Sequence, residues 1–241
     1  MLQPPAAEAV ILDLDGTLLD TAPDLIGAVN DLRRAEGLAP VTREHLMPVV
    51  SHGSAALIRR GFDMDPRAPA FEPLRQRLLD IYAHRISRET RPFPGMMELV
   101  ESLERRGIPW GVVTNKPGWL TRPLLRDLGL MPRLSCLVTG DCLPERKPSP
   151  QPILSGCEQL GLHPGQCLAI GDAERDVQAS HRAGTASLVA LYGYINGEDQ
   201  VRRWGAEGLI DHPMQALRWV ATRGGAASQR RRRSPADAHT A

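Results

Sequence analysis

Short apolar runs recur along the chain, each closed by a turn signal and followed by a stretch of helical period. They lie at residues 9–14 (AVILDL), 110–114 (WGVVT), 136–139 (CLVT), 167–171 (CLAIG) and 186–191 (ASLVAL). Runs this short and this nearly continuous in apolar residues predict strands of a parallel sheet covered on both faces. Amphipathic stretches at 96–106, 120–128, 152–160 and 177–183 fall between them and predict the covering helices. Strands alternating with helices in this way give an α/β fold with a doubly wound parallel sheet.

Residues 20–90 break the rhythm. Their pattern is helical throughout, at 23–36, 43–50, 54–61 and 71–88, with Pro23 and Pro73 suited to first turns and Gly37 and Gly61 to helix ends. An all-helical block between the first and second strands of an α/β sheet reads as an inserted cap domain. The expected organisation is a catalytic core from 1–19 and 91–223, a helical cap over 20–90, and a tail at 224–241. That tail (GGAASQRRRRSPADAHTA) has almost no apolar residue and is expected to be disordered.

Composition narrows the function classes. With 241 residues, 42% hydrophobic and 24% charged, the chain has room for one large globular domain and a small one. A formal charge of +1 gives its body no reason to seek nucleic acid, and only Arg230 to Arg233 form a local basic run. No stretch approaches the roughly 18 apolar residues of a membrane span. Residues 1–10 lack the basic and apolar regions of a signal peptide. Cys136, Cys142, Cys157 and Cys167 form no CxxC pair and no zinc spacing, and three of them sit among apolar residues. Small core thiols suit a reducing compartment, so the expectation is a cytoplasmic monomer or homodimer with no nucleic-acid or membrane partner.

One count changes the picture further. Against 27 arginines the chain has two lysines, Lys116 and Lys147. An ammonium is more compact than a guanidinium, so a lysine kept among so many arginines marks a place where shape matters. A compositional bias explains the scarcity equally well, yet both lysines fall inside the motifs that follow.

The densest group of chemically active residues is Asp13-Leu14-Asp15-Gly16-Thr17, at the end of the first run. Strand residues two apart share a face, so both carboxylates are expected to converge on one spot. Gly16 lets the backbone turn away, and Thr17 adds a hydroxyl. Two carboxylates at a strand edge repel unless a cation neutralises them, which points to Mg²⁺. A helix cap needs one acid, not two flanking an apolar residue. Thr114-Asn115-Lys116 closes the second run and offers a hydroxyl and backbone N–H groups to a phosphoryl oxygen. Lys147 precedes Pro148 in a loop before a helix, where a solvated charge is the ordinary alternative. Asp172 follows Gly171, with Asp176 four residues on; an N-cap explains Asp172 alone as well. Ligands of open α/β sheets bind beyond the carboxyl ends of the strands, and all four groups map there.

In order and content these motifs resemble the haloacid dehalogenase superfamily, whose phosphatases carry DxDGT, a Thr or Ser, a Lys and a terminal acidic pair. The resemblance covers about residues 8–220, the inserted helical cap included. It implies a Mg²⁺-dependent phosphomonoesterase that acts on a small organic or sugar phosphate through an aspartyl-phosphate. Asp13 is then the nucleophile and Asp15 the general acid and base, with Thr114 and Lys147 on the transferring phosphoryl group. Asp13, the backbone carbonyl of Asp15, Asp172 and Asp176 surround the metal. Dehalogenases of the superfamily lack the second aspartate, and its phosphonatases need a cap lysine, whereas no lysine precedes Lys116. A hexose-phosphate mutase shares all four motifs and stays an alternative. In another class, so does a non-catalytic phospho-acceptor signalling domain.

Substrate is less legible. Ser51, His52 and Gly53 of the cap, with Arg59 and Arg60 one turn on, and Asn115 and Gly16 of the core are expected to meet it. A plain helix-capping loop fits 50–54 as well. Residues 111–117 (GVVTNKP), 147–152 and 192–194 (YGY) are similar to bacterial phosphoglycolate phosphatases and N-acetylmuramic acid 6-phosphate phosphatases. Residues 192–213, Pro94-Gly95-Met96 and Trp110 lean towards the second group.

Overall fold

Strand β1 (Ala9–Leu12) has all four of its side chains buried. Alternation sends Val10 and Leu12 into one apolar cluster and Ala9 and Ile11 into another, so the strand feeds both faces of a sheet. The computed structural model describes residues 6–196 and 199–221; the tail expected at 224–241 lies outside the described residues. After β1 come the two-residue strand β2 (Leu19–Asp20), helices α1 (Ala22–Ala35), α2 (Arg43–Leu46), α3 (Gly53–Phe62) and α4 (Phe71–Ala83), and the short strand β3 (Arg91–Pro92). Then follow α5 (Met96–Arg105), β4 (Trp110–Val113), α6 (Gly118–Asp127), β5 (Cys136–Val138) and α7 (Gln151–Leu160). The last elements are β6 (Cys167–Gly171), α8 (Glu174–Ala183), β7 (Ala186–Ala190) and β8 (Gly208–Ile210).

The main sheet has the order β5-β4-β1-β6-β7-β8, and every pair in it is parallel. Numbered by its own strands this is 3-2-1-4-5-6, the doubly wound order whose ligand crevice opens where the winding reverses, here between β1 and β6. All five apolar runs are strands of this sheet. The sixth strand, β8, is a three-residue edge between Glu207 and Asp211 and left no apolar run to read. The helix expected over 43–50 divides into α2 and a 3₁₀ turn at Met47–His52, where Pro48 removes a backbone donor. Helix α4 stops at Ala83, five residues before the end of its amphipathic pattern.

Strands β2 and β3 pair antiparallel, Leu19 with Pro92 and Asp20 with Arg91, so the chain leaves for the helical segment and returns from it side by side. Asp24, fully buried in the first turn of α1, fastens the same junction. Its carboxylate accepts from the N–H of Glu89 at 2.9 Å and from the N–H and hydroxyl of Thr90, both at 2.8 Å. Three donors satisfy a carboxylate that burial would otherwise penalise. The apolar cluster containing Val10 and Leu12 continues into Leu32, Leu57 and Tyr82, which seats the helices on the sheet through one core. Each such buried leucine is worth about 1.5–3 kcal/mol. Among the described residues no helix is long and apolar enough to cross a membrane. Cys136, Cys157 and Cys167 are buried and Cys142 is exposed, all four as free thiols.

Candidate active site

Because β1 ends at Leu12, strand alternation does not bring Asp15 beside Asp13. The Asp13 N–H still bonds Ile170 O at 2.9 Å, and the chain then turns, with Leu18 N donating to Asp13 O and Gly16 N to Leu19 O. Gly16 sits at φ +86°, and a Cβ there would lie 2.2 Å from Asp172 Oδ2, so the turn admits only glycine. The turn gives the two carboxylates different lysine partners, Lys147 for Asp13 and Lys116 for Asp15.

Asp13 belongs to the first half of the site. Lys147 Nζ donates to Asp13 Oδ1 at 2.8 Å and to Val113 O at 2.7 Å, and pairs with Asp176 Oδ1 at 2.7 Å. Burial alone would depress this ammonium, but Asp13 and Asp176 together outweigh it and its pKa is raised. Lys147 is therefore no solvated charge; its side chain is 2% exposed. Asn115 holds the lysine in place, with its amide donating to Lys147 O at 2.9 Å and accepting from Lys147 N at 3.0 Å. The structure thus assigns the Asn115 side chain to this loop, where substrate contact was expected. Buried Thr114 accepts the Lys116 N–H at 3.2 Å, which leaves its own O–H to donate.

Asp172 lies across the β1–β6 crevice. It accepts from Thr17 Oγ1 at 3.1 Å, Tyr194 N at 3.0 Å and, more distantly, Ser51 Oγ at 3.4 Å. Burial first, then the neighbouring Asp13 and Asp176, push its pKa up to about 7. Asp172 does not cap α8. That position belongs to Ala173, whose N–H is bonded by Asp176 Oδ2 at 3.0 Å. Burial likewise raises the Asp176 carboxyl, even with Lys147 beside it.

Asp13, Asp172 and Asp176 each present a carboxylate oxygen within 4.8 Å of the others. One ammonium among three buried carboxylates leaves negative charge that a hard divalent cation would neutralise, and an all-oxygen set suits such an ion.

Asp15 forms the second half. Its Oδ1 accepts from Lys116 Nζ at 2.8 Å and from Thr21 Oγ1 at 2.6 Å. Lys116 also donates to the Tyr82 hydroxyl of α4 at 2.7 Å. Burial, only partly countered by Lys116, pushes the Tyr82 phenol up to about 12, so it stays neutral. The Tyr194 hydroxyl accepts from Ala22 N at 2.8 Å and donates to Asp20 Oδ1 at 2.9 Å, fixing the start of α1 beside this group.

Of the residues expected in the cap, Ser51 reaches a site carboxylate, Asp172. Its backbone oxygen also accepts from Arg175 Nη2 at 2.7 Å, across the boundary to α8. His52 is exposed and lines, with Ser51, Asp172, Arg175, Tyr194 and Trp204, a cavity of about 610 Å³. Gly53 is exposed and opens α3 directly, so 50–54 is a helical junction with no loop between. Arg59 and Arg60 line a different cavity, inside the helical segment and with none of the site's carboxylates in its wall.

Sequence reasoning gave no role to Tyr82, Thr21, Tyr194 or Arg175, and none to Lys116 beyond its rarity. A count would have flagged two of them, since the chain has only three tyrosines and Tyr82 and Tyr194 both bond into the site.

Residues 10–190 match the family of haloacid dehalogenase-like hydrolases. An N-acetylmuramic acid 6-phosphate phosphatase of Pseudomonas aeruginosa is 42% identical over 210 residues, which cover 87% of this chain and 93% of that protein. A phosphoglycolate phosphatase of Xylella fastidiosa is 42% identical over 205 residues, covering 85% and 89%. Among solved structures, one described as a predicted phosphoglycolate phosphatase from Haemophilus somnus superposes with a TM-score of 0.78 at 28% identity, covering 88% of this chain and 96% of that one.

Proposed function

This chain belongs to the haloacid dehalogenase-like hydrolase family, and from that premise we propose that it is a Mg²⁺-dependent phosphomonoesterase of small organic or sugar phosphates. The observation that supports this reading most is the division of labour between two carboxylates. Asp13 sits on Lys147 beside Asp172 and Asp176, while Asp15, one turn on, has its own partners. In the first step an Asp13 oxygen attacks phosphorus, the P–O bond to the alcohol breaks, and Asp15 gives its proton to the departing oxygen. In the second, water attacks the aspartyl-phosphate, Asp15 takes the water's proton, and phosphate leaves with Asp13 restored. Lys147 and the Thr114 hydroxyl hold the phosphoryl oxygens through both steps. The carboxylates of Asp13, Asp172 and Asp176 and the backbone carbonyl of Asp15 would hold Mg²⁺, which would offset the charge of carboxylates and phosphoryl group together.

Residues 20–90 act in this reading as a cap over the core of 1–19 and 91–223, with Ser51, His52 and Gly53 at its edge. The relatives' substrates, phosphoglycolate and N-acetylmuramic acid 6-phosphate, are the two candidates, and a cavity of about 610 Å³ beside Asp172 has room for a sugar. The setting is cytoplasmic and the enzyme a monomer or homodimer. Release of phosphate from both esters and from glucose 1-phosphate, with and without Mg²⁺, tests the proposal in wild type and Asp13→Asn. The variant is expected to lose at least about 10³-fold in kcat; undiminished activity would refute the mechanism, and isomerisation of a hexose phosphate without net release would make the enzyme a mutase.

A further inference from the structure

The steps above leave Lys116 without work, although it is one of only two lysines in the chain. Resting on the reading of Asp15 as general acid and base, we propose that Lys116 is a positioning residue that ties the Asp15 carboxylate to the helical cap through Tyr82. The lysine side chain is enclosed, 6% exposed, and its ammonium lies between Asp15 Oδ1 at 2.8 Å and the Tyr82 hydroxyl at 2.7 Å. The Tyr82 ring gives it a further wall, with the ring centroid 4.5 Å from Nζ. Asp15 and Lys116 follow β1 and β4 of the sheet, whereas Tyr82 stands in the last turn of α4. One ammonium therefore joins the acid–base group to the helices.

The geometry gives the tie a direction. Both hydrogen bonds of the Asp15 carboxylate, from Lys116 and from Thr21, land on Oδ1, so Oδ2 is the oxygen left for a leaving group. Thr21 stands where the chain passes from β2 into α1, so the second bond also reports the seat of the helices. A buried ammonium that loses one of its two partners is costly to leave in place. Displacement of α4 would take the hydroxyl from the ammonium and open its pocket to water, which would loosen the hold on Asp15. A compact ammonium carries its donors on one atom, which suits two acceptors met at 2.8 and 2.7 Å.

Kinetics of Lys116→Met, Tyr82→Phe and the double variant test this, on the better of the two candidate alkyl esters and on 4-nitrophenyl phosphate. An alkoxide needs the proton of Asp15 to leave, and 4-nitrophenolate does not. Lys116→Met is expected to lower kcat/KM for the alkyl ester about 100-fold and for the aryl ester less than about tenfold, with no rise in KM. Tyr82→Phe keeps the ring and the fold and is expected to cost the alkyl ester about five- to tenfold, so it carries the test if Lys116→Met fails to fold. In the double variant the two losses should not add, because the hydroxyl acts through the ammonium. Equal losses on both esters, or a raised KM with kcat unchanged, would overturn the positioning role, and additive losses would overturn the link to Tyr82. Failure of the parent reading is seen separately, as activity retained by Asp13→Asn with Lys116 intact.

Discussion

The surroundings of Lys147 and those of Lys116 and Ser51 are built in opposite ways. The partners of the Lys147 ammonium lie at or just past strand ends of the sheet: Asp13 after β1, Val113 in β4, and Asp176 in the first turn of α8, which follows β6. Around Lys116 and Ser51 three contacts cross to the helical segment between β2 and β3, from Lys116 to Tyr82, Arg175 to Ser51 and Asp172 to Ser51, while Lys116 also holds Asp15 between two strand-end loops. Sheet register and the start of α8 fix the first region without any contact from the helices between β2 and β3. The second is complete only while those helices are seated. In the proposed mechanism a site divided in this way keeps Asp13 rigid and lets substrate selection and proton transfer depend on the helical segment.

Lys147→Met attacks the rigid region and carries the largest expected effect. It leaves Asp13 and Asp176 buried without their ammonium and, in the proposed mechanism, takes a donor from the phosphoryl group. Loss of one buried partner costs about 3–5 kcal/mol of stability. Removal of a preorganised donor costs about 10²–10³ in kcat. Urea unfolding and steady-state kinetics measure both, and a change below tenfold in kcat would mean that Lys147 is structural only.

Next in size is the response to pH and metal. Asp172 is raised from its usual carboxylate range to about 7, chiefly by burial. A carboxyl raised on folding binds its proton more tightly in the native state, so its contribution to stability is full below about pH 4 and is lost as pH rises to about 7. Metal-free protein should therefore melt at a lower temperature at pH 8 than at pH 5.5, as far as this group decides. Added Mg²⁺ should recover the difference at pH 8 and do little at pH 5.5, where the proton occupies the ligand. Thermal melts at both pH values, with Mg²⁺ and with chelator, read this directly; a Mg²⁺ effect equal at both would show that Asp172 is not a ligand.

The contrast also explains what could be read from the sequence. Asp13, Lys147, Asp172 and Asp176 were legible because a parallel sheet gathers its strand ends at one edge, and local patterns mark strand ends. Asp15 was found for a partly wrong reason, since the turn at Gly16 and not strand alternation sets its direction. The bonds of the Asn115 amide to the Lys147 backbone were not legible, because a side-chain amide serves a backbone as readily as a ligand and only the folded loop shows the pairing. Tyr82, Thr21, Tyr194 and Arg175 meet the site through contacts between elements far apart in the chain, and no periodicity carries that information. Edge strand β8 escaped because three residues are too few for a pattern.

Arg175→Ala is the smallest of the expected effects and the one that separates the two regions most cleanly. Arg175 is half-buried in the first turn of α8, and its guanidinium holds the backbone oxygen of Ser51 at 2.7 Å. A charge-assisted bond that solvent partly reaches is worth about 1 kcal/mol, which corresponds to a three- to tenfold effect. Because the bond seats the helical segment and Arg175 reaches the carboxylates only through its charge beside Asp176, the loss should appear chiefly as a higher KM, with a smaller fall in kcat. Ser51→Ala keeps the backbone oxygen and forgoes only the long 3.4 Å contact to Asp172, so it should change KM less than Arg175→Ala does. The ranking matters more than either value. Were Arg175→Ala to lower kcat and leave KM alone, the boundary would take part in the chemical step, and the site could no longer be divided into a rigid catalytic edge and a movable selective one.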